Sequence, residues 1–295
     1  MKHVVTQPNR PRLVANGRLE IHQIPVWQDN LVWLAVCTET GEAAVIDGPD
    51  AEPILAYCKA HGINWTTILN THVHHDHIGV NRTLEAMGRL SQFRVVGAAA
   101  TMDAIPGITD VVRDGDAVRI GDVDGSVWLT EGHIDGHISY IFGDALFCGD
   151  TLFAGGCGYL FDGPAEKMHA SLTRLASLPG DTLVFCAHEY TQDNLKFAWS
   201  VEPGNRTLLH RIRSVWAERS AGRCVVPSTI DVERSTNPFL RVKSPEIVRA
   251  VGGSIDELTN DGAEVFARLR ALKDSKAYRA LEDADLPVAD GALPR

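Results

Sequence analysis
The chain has 295 residues, 44% apolar and 22% charged, the balance of a soluble globular protein large enough for one big core and a smaller second unit. Its formal net charge of −10 disfavours nucleic acid, whose phosphates call for basic surface. No run approaches membrane-spanning length, residues 1–17 carry no apolar stretch that would mark a signal peptide or anchor, and the six cysteines form no Cys-x-x-Cys pair; a cytoplasmic protein with reduced thiols is expected.

In chain order, Ala44-Val45-Ile46 reads as a strand that ends in Asp47. That carboxylate either orients a ligand histidine or is an ordinary turn aspartate before Gly48-Pro49. Thr67-Ile68-Leu69-Asn70 reads as the end of a second buried strand. It runs into Thr71-His72-Val73-His74-His75-Asp76-His77, in which His72, His74, Asp76 and His77 fall in the pattern His-x-His-x-Asp-His. Imidazole and carboxylate at this density suit zinc, iron or manganese. In an extended chain His72 and His74 point to the same side, while Asp76 and His77 point apart and do not both serve the ion held by the first pair. Two metals are therefore expected, since a catalytic ion needs only three protein ligands. His75 sits at a variable position and is expected to face solvent. An accidental surface tract would be low in complexity and unflanked by strands. Here a strand precedes the motif and a helix, Ile78 to Met87 with Gly88 as its stop, follows it.

Later strand-like runs end in further donors. Val127-Trp128-Leu129-Thr130 leads to His133 and His137, Ala145-Leu146-Phe147-Cys148 to Gly149-Asp150-Thr151, and Thr182 to Cys186 leads to His188-Glu189-Tyr190. Singly these are weak signals, because a lone Gly-Asp is commonly a turn. Their order is far more specific than the parts. Beyond His188 helical patterns take over: Leu208, Leu209, Ile212, Val215 and Trp216 share one apolar face, as do Phe266, Leu269 and Leu272. Arg270 and Lys273 project from neighbouring positions of that last helix.

Together these motifs, with Asp29-Asn30, Phe147 to Phe153, Gly155 to Gly158, Cys186 to Thr191 and Asn237 to Arg241, resemble the metallo-β-lactamase fold superfamily and, within it, the glyoxalase II (hydroxyacylglutathione hydrolase) family. The resemblance implies an α/β fold, a four-layer αββα sandwich over residues 1–190 (1–17 an N-terminal extension), and a C-terminal helical substrate-binding domain over 191–295. It implies one metal on His72, His74 and His133 and another on Asp76, His77 and His188, with Asp150 bridging. A bridging water or hydroxide would complete both shells. His137 is read as support or core rather than as a ligand. The cofactors expected are two divalent ions, zinc foremost, with iron or manganese admitted by the same donors.

The family's activity implies hydrolysis of S-(2-hydroxyacyl)glutathione, such as S-D-lactoylglutathione, to glutathione and D-lactate, with Asp76 and Asp150 in the catalytic centre. It assigns Arg270 and Lys273 to a glutathione carboxylate and Tyr190 to a glutathione contact. Tyr159, also counted at the substrate, stands where many members carry Lys or Arg, and Phe161 offers no hydroxyl. Weaker binding or a different thiol is the consequence. Glu131 and Ile134 replace the usual proline and threonine without removing a ligand. The competing readings are a thioesterase on another thiol carrier, a persulfide dioxygenase with one iron on His72, His133 and Asp150, and a structural metal protein. Dioxygenases generally lack the helical C-terminal region, and a structural ion needs no open position. The partner expected is a small-molecule glutathione thioester, without nucleic acid or membrane; nothing in the sequence assigns an oligomeric state.

Overall fold
The computed structural model describes residues 3–254, 260 and 262–288. The first two residues of the expected extension and the last seven of the expected C-terminal domain lie outside that set. A first sheet takes strands in sequence order: β1 (Arg12–Val14), β2 (Leu19–Val26), β3 (Asn30–Cys37), β4 (Glu42–Ile46), β5 (Asn64–Leu69), β6 (Arg94–Ala98) and β7 (Asp110–Val112). Pairing is antiparallel from β1 to β4 and parallel from β4 to β7. Helices α1 (Glu52–His61) and α2 (Gly79–Ala86) make the parallel crossovers. The α1 start carries Glu52 and a proline in its first turn, and its end is closed by Gly62 at φ 67°, the left-handed cap that glycine adopts without strain.

The second sheet follows as β8 (Ala117–Ile120), β9 (Val123–Leu129), β10 (Ile138–Phe142) and β11 (Ala145–Gly149), then a small hairpin of β12 (Leu152–Phe153) and β13 (Gly156–Cys157). Helix α3 (Ala165–Leu175) crosses back to β14 (Leu183–Cys186), which lies parallel to β11. The sequence pattern beyond His188 reads as wholly helical. The chain nevertheless returns a two-residue strand, β15 (Ser228–Thr229), to the edge of this sheet. A pair of residues is too short to leave a periodic signal. The remaining α-helices among the described residues are α4 (Thr191–Val201), α5 (Arg206–Ser220), α6 (Ile230–Thr236), α7 (Pro245–Ala250) and α8 (Ala263–Asp274).

Period-two alternation sorts the first sheet into two buried faces. Leu31, Trp33 and Ala35 of β3 look toward the second sheet, whereas Val32 and Leu34 look toward Ile54, Val80 and Leu84 of α1 and α2. Between the sheets Trp33, Phe185 and Phe147 form a run of ring contacts at 4.9 and 5.1 Å. Burial of each such ring contributes on the order of 2 kcal/mol. Trp33 Nε1 donates to the carbonyl of Cys186 at 2.9 Å and ties the layers together. On the far side α3 covers the second sheet, with Arg174 over the Trp128 ring at 4.5 Å. Phe197, Phe239, Phe266 and Leu269 from the later helices join the same apolar cluster. The result is the four-layer αββα sandwich with an added helical region. All six cysteines are buried and free, and no described helix is long and apolar enough to cross a membrane.

Candidate metal centre and adjoining cavity
The ends of β4, β5, β11 and β14 and the start of β3 meet at one edge of the sandwich. Ligand sites in layered α/β folds favour the carboxyl ends of parallel strands. The segment after β5 is tied down before it delivers any donor. Asn70 is fully buried and its amide reaches the His77 carbonyl and the Asn81 side chain, both at 3.2 Å. Thr71 gives its N–H and its hydroxyl to the two Asp47 oxygens, each at 2.7 Å.

His72, His74, His133 and Asp150 converge in one cluster, and Asp76, His77 and His188 in another. His74 Nδ1 lies 3.1 Å from His72 Nε2 and 3.0 Å from His133 Nε2. His188 Nε2 lies 3.3 Å from Asp76 Oδ2, and His77 Nε2 lies 3.5 Å from it. Asp150 spans the two: Oδ1 faces His188 and His77 at 3.4 and 3.5 Å, and Oδ2 faces His133 at 3.4 Å. Donors sharing a tetrahedral zinc at about 2.0–2.1 Å sit roughly 3.3 Å apart, so the spacing suits a common cation.

His72 and His74 share a cluster, as extended geometry predicts. Asp76 and His77 do not diverge: both enter the second cluster. The chain is not extended there, because the His74 carbonyl accepts from His77 N–H at 3.0 Å and Ile78 N–H at 3.1 Å, a turn that brings both side chains round. His75 faces solvent.

The outer nitrogens of His72, His77, His133 and His188 are engaged. His77 Nδ1 donates to Asp47 Oδ2 at 3.0 Å, His188 Nδ1 to Asp29 Oδ1 at 2.9 Å, and His133 Nδ1 to the Tyr159 carbonyl at 2.7 Å. His72 Nδ1 lies 3.0 Å from the Thr71 hydroxyl, whose proton already goes to Asp47, so the imidazole donates. Each contact leaves Nε2 bare and aimed inward, as metal-binding histidines require. His77 Nε2 and Asp150 Oδ1 are buried with no hydrogen-bond partner, which a bound cation would resolve. Asp47 thus orients a histidine rather than serving as a plain turn residue. Asp29 and Asn30, whose amide donates to Asp76 Oδ2 at 3.0 Å, do comparable work that sequence reasoning missed. The sequence marks Asp29-Asn30 as the point where the family resemblance begins, far from the histidine motif, and assigns them no role. His137 lies behind the cluster, where its Nε2 accepts the Asp150 N–H at 3.2 Å.

The electrostatics agree. Burial pushes His72, His74 and His133 below the usual imidazole range. Burial is the largest single effect on His77 and His188 and opposes charge, but Asp150 together with Asp47 at His77, and with Asp29 and Asp76 at His188, outweighs it and raises both, His188 to about 9. Burial would raise Asp76 and Asp150, yet the facing histidines hold both carboxyls far below their ordinary range. The carboxylates call for positive charge where a divalent ion would sit.

Gly158 permits this packing. A Cβ there would lie 1.9 Å from the Asp150 carbonyl oxygen and 3.0 Å from His133 Nδ1.

Next to the cluster a cavity of about 350 Å³ gathers Tyr159, Tyr190, Arg270 and Lys273, together with Phe153 and Asn194. The Tyr190 ring stacks on His188 at 4.9 Å, which joins cavity and cluster. Arg270 and Lys273 are not a solvated face; both are buried. Arg270 Nε pairs with Asp274 at 3.0 Å, and its Nη1 donates to the Cys157 carbonyl at 3.2 Å. Lys273 donates to Asn194 Oδ1. Burial, reinforced by the Arg270 charge, pushes its ammonium down to about 7. Lys276 and Arg279 also line the cavity, cations that the sequence reading did not assign to the site.

A sandwich carrying this two-lobed His/Asp cluster at its strand ends is the architecture of the metallo-beta-lactamase superfamily, whose sequence profile matches residues 29–188. The profile described as Hydroxyacylglutathione hydrolase C-terminus matches residues 189–276. A protein of Rhodospirillum rubrum named hydroxyacylglutathione hydrolase is 46% identical over 259 residues, covering 87% of this chain and 98% of the relative. The chain therefore belongs to the hydroxyacylglutathione hydrolase family. Among solved structures, ETHE1 from Myxococcus xanthus superposes with a TM-score of 0.56 at 26% identity, covering 94% of this chain and 96% of that one. TTHA1623 in a di-iron-bound form gives a TM-score of 0.50 at 25% identity, covering 75% of this chain and 99% of that one.

Proposed function
We propose that this protein is a thiolester hydrolase that cleaves S-(2-hydroxyacyl)glutathione, S-D-lactoylglutathione among them, to glutathione and the 2-hydroxy acid. The observation that carries this reading is the cavity of Tyr159, Tyr190, Arg270 and Lys273 opening directly beside the His/Asp cluster. Family membership at 46% identity to a named hydroxyacylglutathione hydrolase supports it.

His72, His74 and His133 would hold one divalent ion, Asp76, His77 and His188 a second, and Asp150 would bridge them. Zinc fits the nitrogen-rich donors best, with iron and manganese admissible. When bound, such a pair supplies an acidified water and polarises the thioester carbonyl. The chain's own residues do the rest. Asp47 and Asp29 fix the tautomers of His77 and His188, so that each presents a lone pair. Lys273, buried at the cavity wall, meets a carboxylate of the thiol, and Arg270 stands beside it, anchored by Asp274. The division of labour follows the chain, with residues 1–190 supplying the metal edge and 191–295 most of the cavity. A thiolate is a stable leaving group, so the cluster needs no dedicated acid.

The test is a spectrophotometric assay of S-lactoylglutathione cleavage, with a metal count on the same preparation. Rapid cleavage with about two ions per chain is expected. No cleavage with two ions present moves the substrate to another thioester, a second reading favoured by Tyr159 where a cation is usual in the family. One iron without cleavage moves the assignment to persulfide oxidation.

A further inference from the structure
Trp27 is 48% exposed, although tryptophan is highly buried on average. It sits in the turn between Val26 and Asn30, the same turn whose Asp29 and Asn30 reach His188 and Asp76. Its backbone lies at φ 55°, the left-handed region that a bulky side chain enters only at a cost. Strained residues of this kind concentrate at ligand sites, because surrounding contacts must over-determine them. Glycine or asparagine would relieve the turn, yet the chain places its largest aromatic there. The indole packs on the exposed His75 ring at a centroid distance of 5.8 Å, and His75 Nδ1 lies 3.7 Å from Asp76 Oδ1. Across the cluster the 61% exposed Phe161 ring stands 5.1 Å from His74 and 5.2 Å from His133. Phe161 touches Tyr159 of the cavity wall at 4.9 Å and so stands on the thiol side, whereas Trp27 does not line the cavity of Tyr190, Arg270 and Lys273. A thioester with its thiol in that cavity and its carbonyl over the cluster projects its acyl group toward the remaining rim.

We infer that Trp27, backed by His75, is an acyl-side specificity residue, and that the protein favours thioesters whose 2-hydroxyacyl group carries an aromatic or bulky apolar substituent over the lactoyl group. This rests on the thiolester hydrolase reading above. An acyl ring meeting the indole in a stacked or edge contact gains from geometry as well as burial, while a methyl gains little from either.

The experiment measures kcat and KM of the metal-loaded protein for four substrates: lactoyl and mandeloyl thioesters of glutathione and of N-acetylcysteamine. It is repeated with Trp27→Ala and Trp27→Asn, the second chosen because asparagine accepts the left-handed backbone and keeps the turn folded. The wild type is expected to favour mandeloyl over lactoyl in kcat/KM on either carrier. In both variants that ratio should fall about 3- to 10-fold, mainly through the KM for mandeloyl. A ratio unchanged in both variants, or an equal loss on both acyl groups, overturns the proposal and makes Trp27 a structural turn residue. Cleavage of the N-acetylcysteamine esters alone overturns the glutathione assignment, and the acyl ratio on that carrier still decides for or against Trp27. Cleavage of none of the four overturns both.

Discussion

Around the His/Asp cluster each buried imidazole is gripped from behind by a separate protein group, whereas the cavity beside it is held together by pairs among its own polar side chains. His77, His188 and His133 each lose their outer N–H to Asp47, Asp29 or the Tyr159 carbonyl. In the cavity, Arg270 leans on Asp274, Lys273 on Asn194, and Arg279 on Asp193, all within the wall that a ligand would contact. The first arrangement fixes direction, which coordination requires. The second stores charge in pairs that an incoming carboxylate can compete for. On the proposed function, a rigid end for chemistry and an exchangeable end for binding make different demands on the chain, and substitutions should separate them.

The largest effect is expected at Asp150, whose two carboxylate oxygens face the two clusters. Asp150→Asn preserves volume but removes the charge that raises His77 and His188. Loss of an outer carboxylate alone typically costs 10–100-fold, so removal of the bridging group should cost more than about 100-fold in kcat/KM, with loss of bound metal. Elemental analysis beside the assay checks it. A variant that keeps both ions and its rate would break the distinction drawn here.

Asp29→Ala sharpens the same distinction. Its carboxylate touches His188 and lies in a partly exposed turn, so folding should be little disturbed. A 10- to 100-fold loss is expected, concentrated on the second ion. The metal content should fall toward one per chain, with the ion of His72, His74 and His133 retained. Equal loss of both ions would mean that the two positions are not held independently.

The contrast between the two ends also governs what the sequence could reveal. His72, His74, Asp76 and His77 lie within six residues, and no structural role explains such density, so the metal edge is legible from one short segment. The strands that deliver Asp150 and His188 show as apolar runs because both of their faces are largely buried, whereas β9, which leads to His133, leaves Leu129 exposed. The turn that sends Asp76 and His77 inward together was not legible, because it is set by the backbone of His74 rather than by a turn residue. Asp29 and Asn30 were hidden too, since their partners lie 159 and 46 positions away. The cavity was legible at Arg270 and Lys273 only through family position. Their helix reads as an ordinary basic face, and it is tertiary packing against Cys157 and Asn194 that buries them.

The smallest effect tests the exchangeable end through pH. Burial is the main force on Lys273, lowering it from an ordinary 10.5 to about 7; Arg270 and Arg279 push the same way, and Cys157 and Asp193 push back. A carboxylate ligand prefers the protonated ammonium, so binding raises this value again. In the free protein the lysine is charged below pH 7 and neutral above it. The KM for an anionic glutathione thioester should therefore be low and flat below pH 7, then rise roughly fivefold between pH 7 and 8, as a single titration around 7 requires. An N-acetylcysteamine thioester, which has no carboxylate, should show no such rise. Lys273→Met should flatten the glutathione profile at a high KM while leaving its kcat within about twofold. The same shift carries a stability sign. Between pH 7 and 10.5 the unfolded chain binds a proton at this lysine that the folded chain does not, so stability should increase with pH across that window, and a carboxylate ligand should diminish the increase. A glutathione KM that stays constant from pH 6 to 9 would place the recognition of the thiol on the guanidinium groups of the cavity, Arg270 and Arg279, whose charge does not change there.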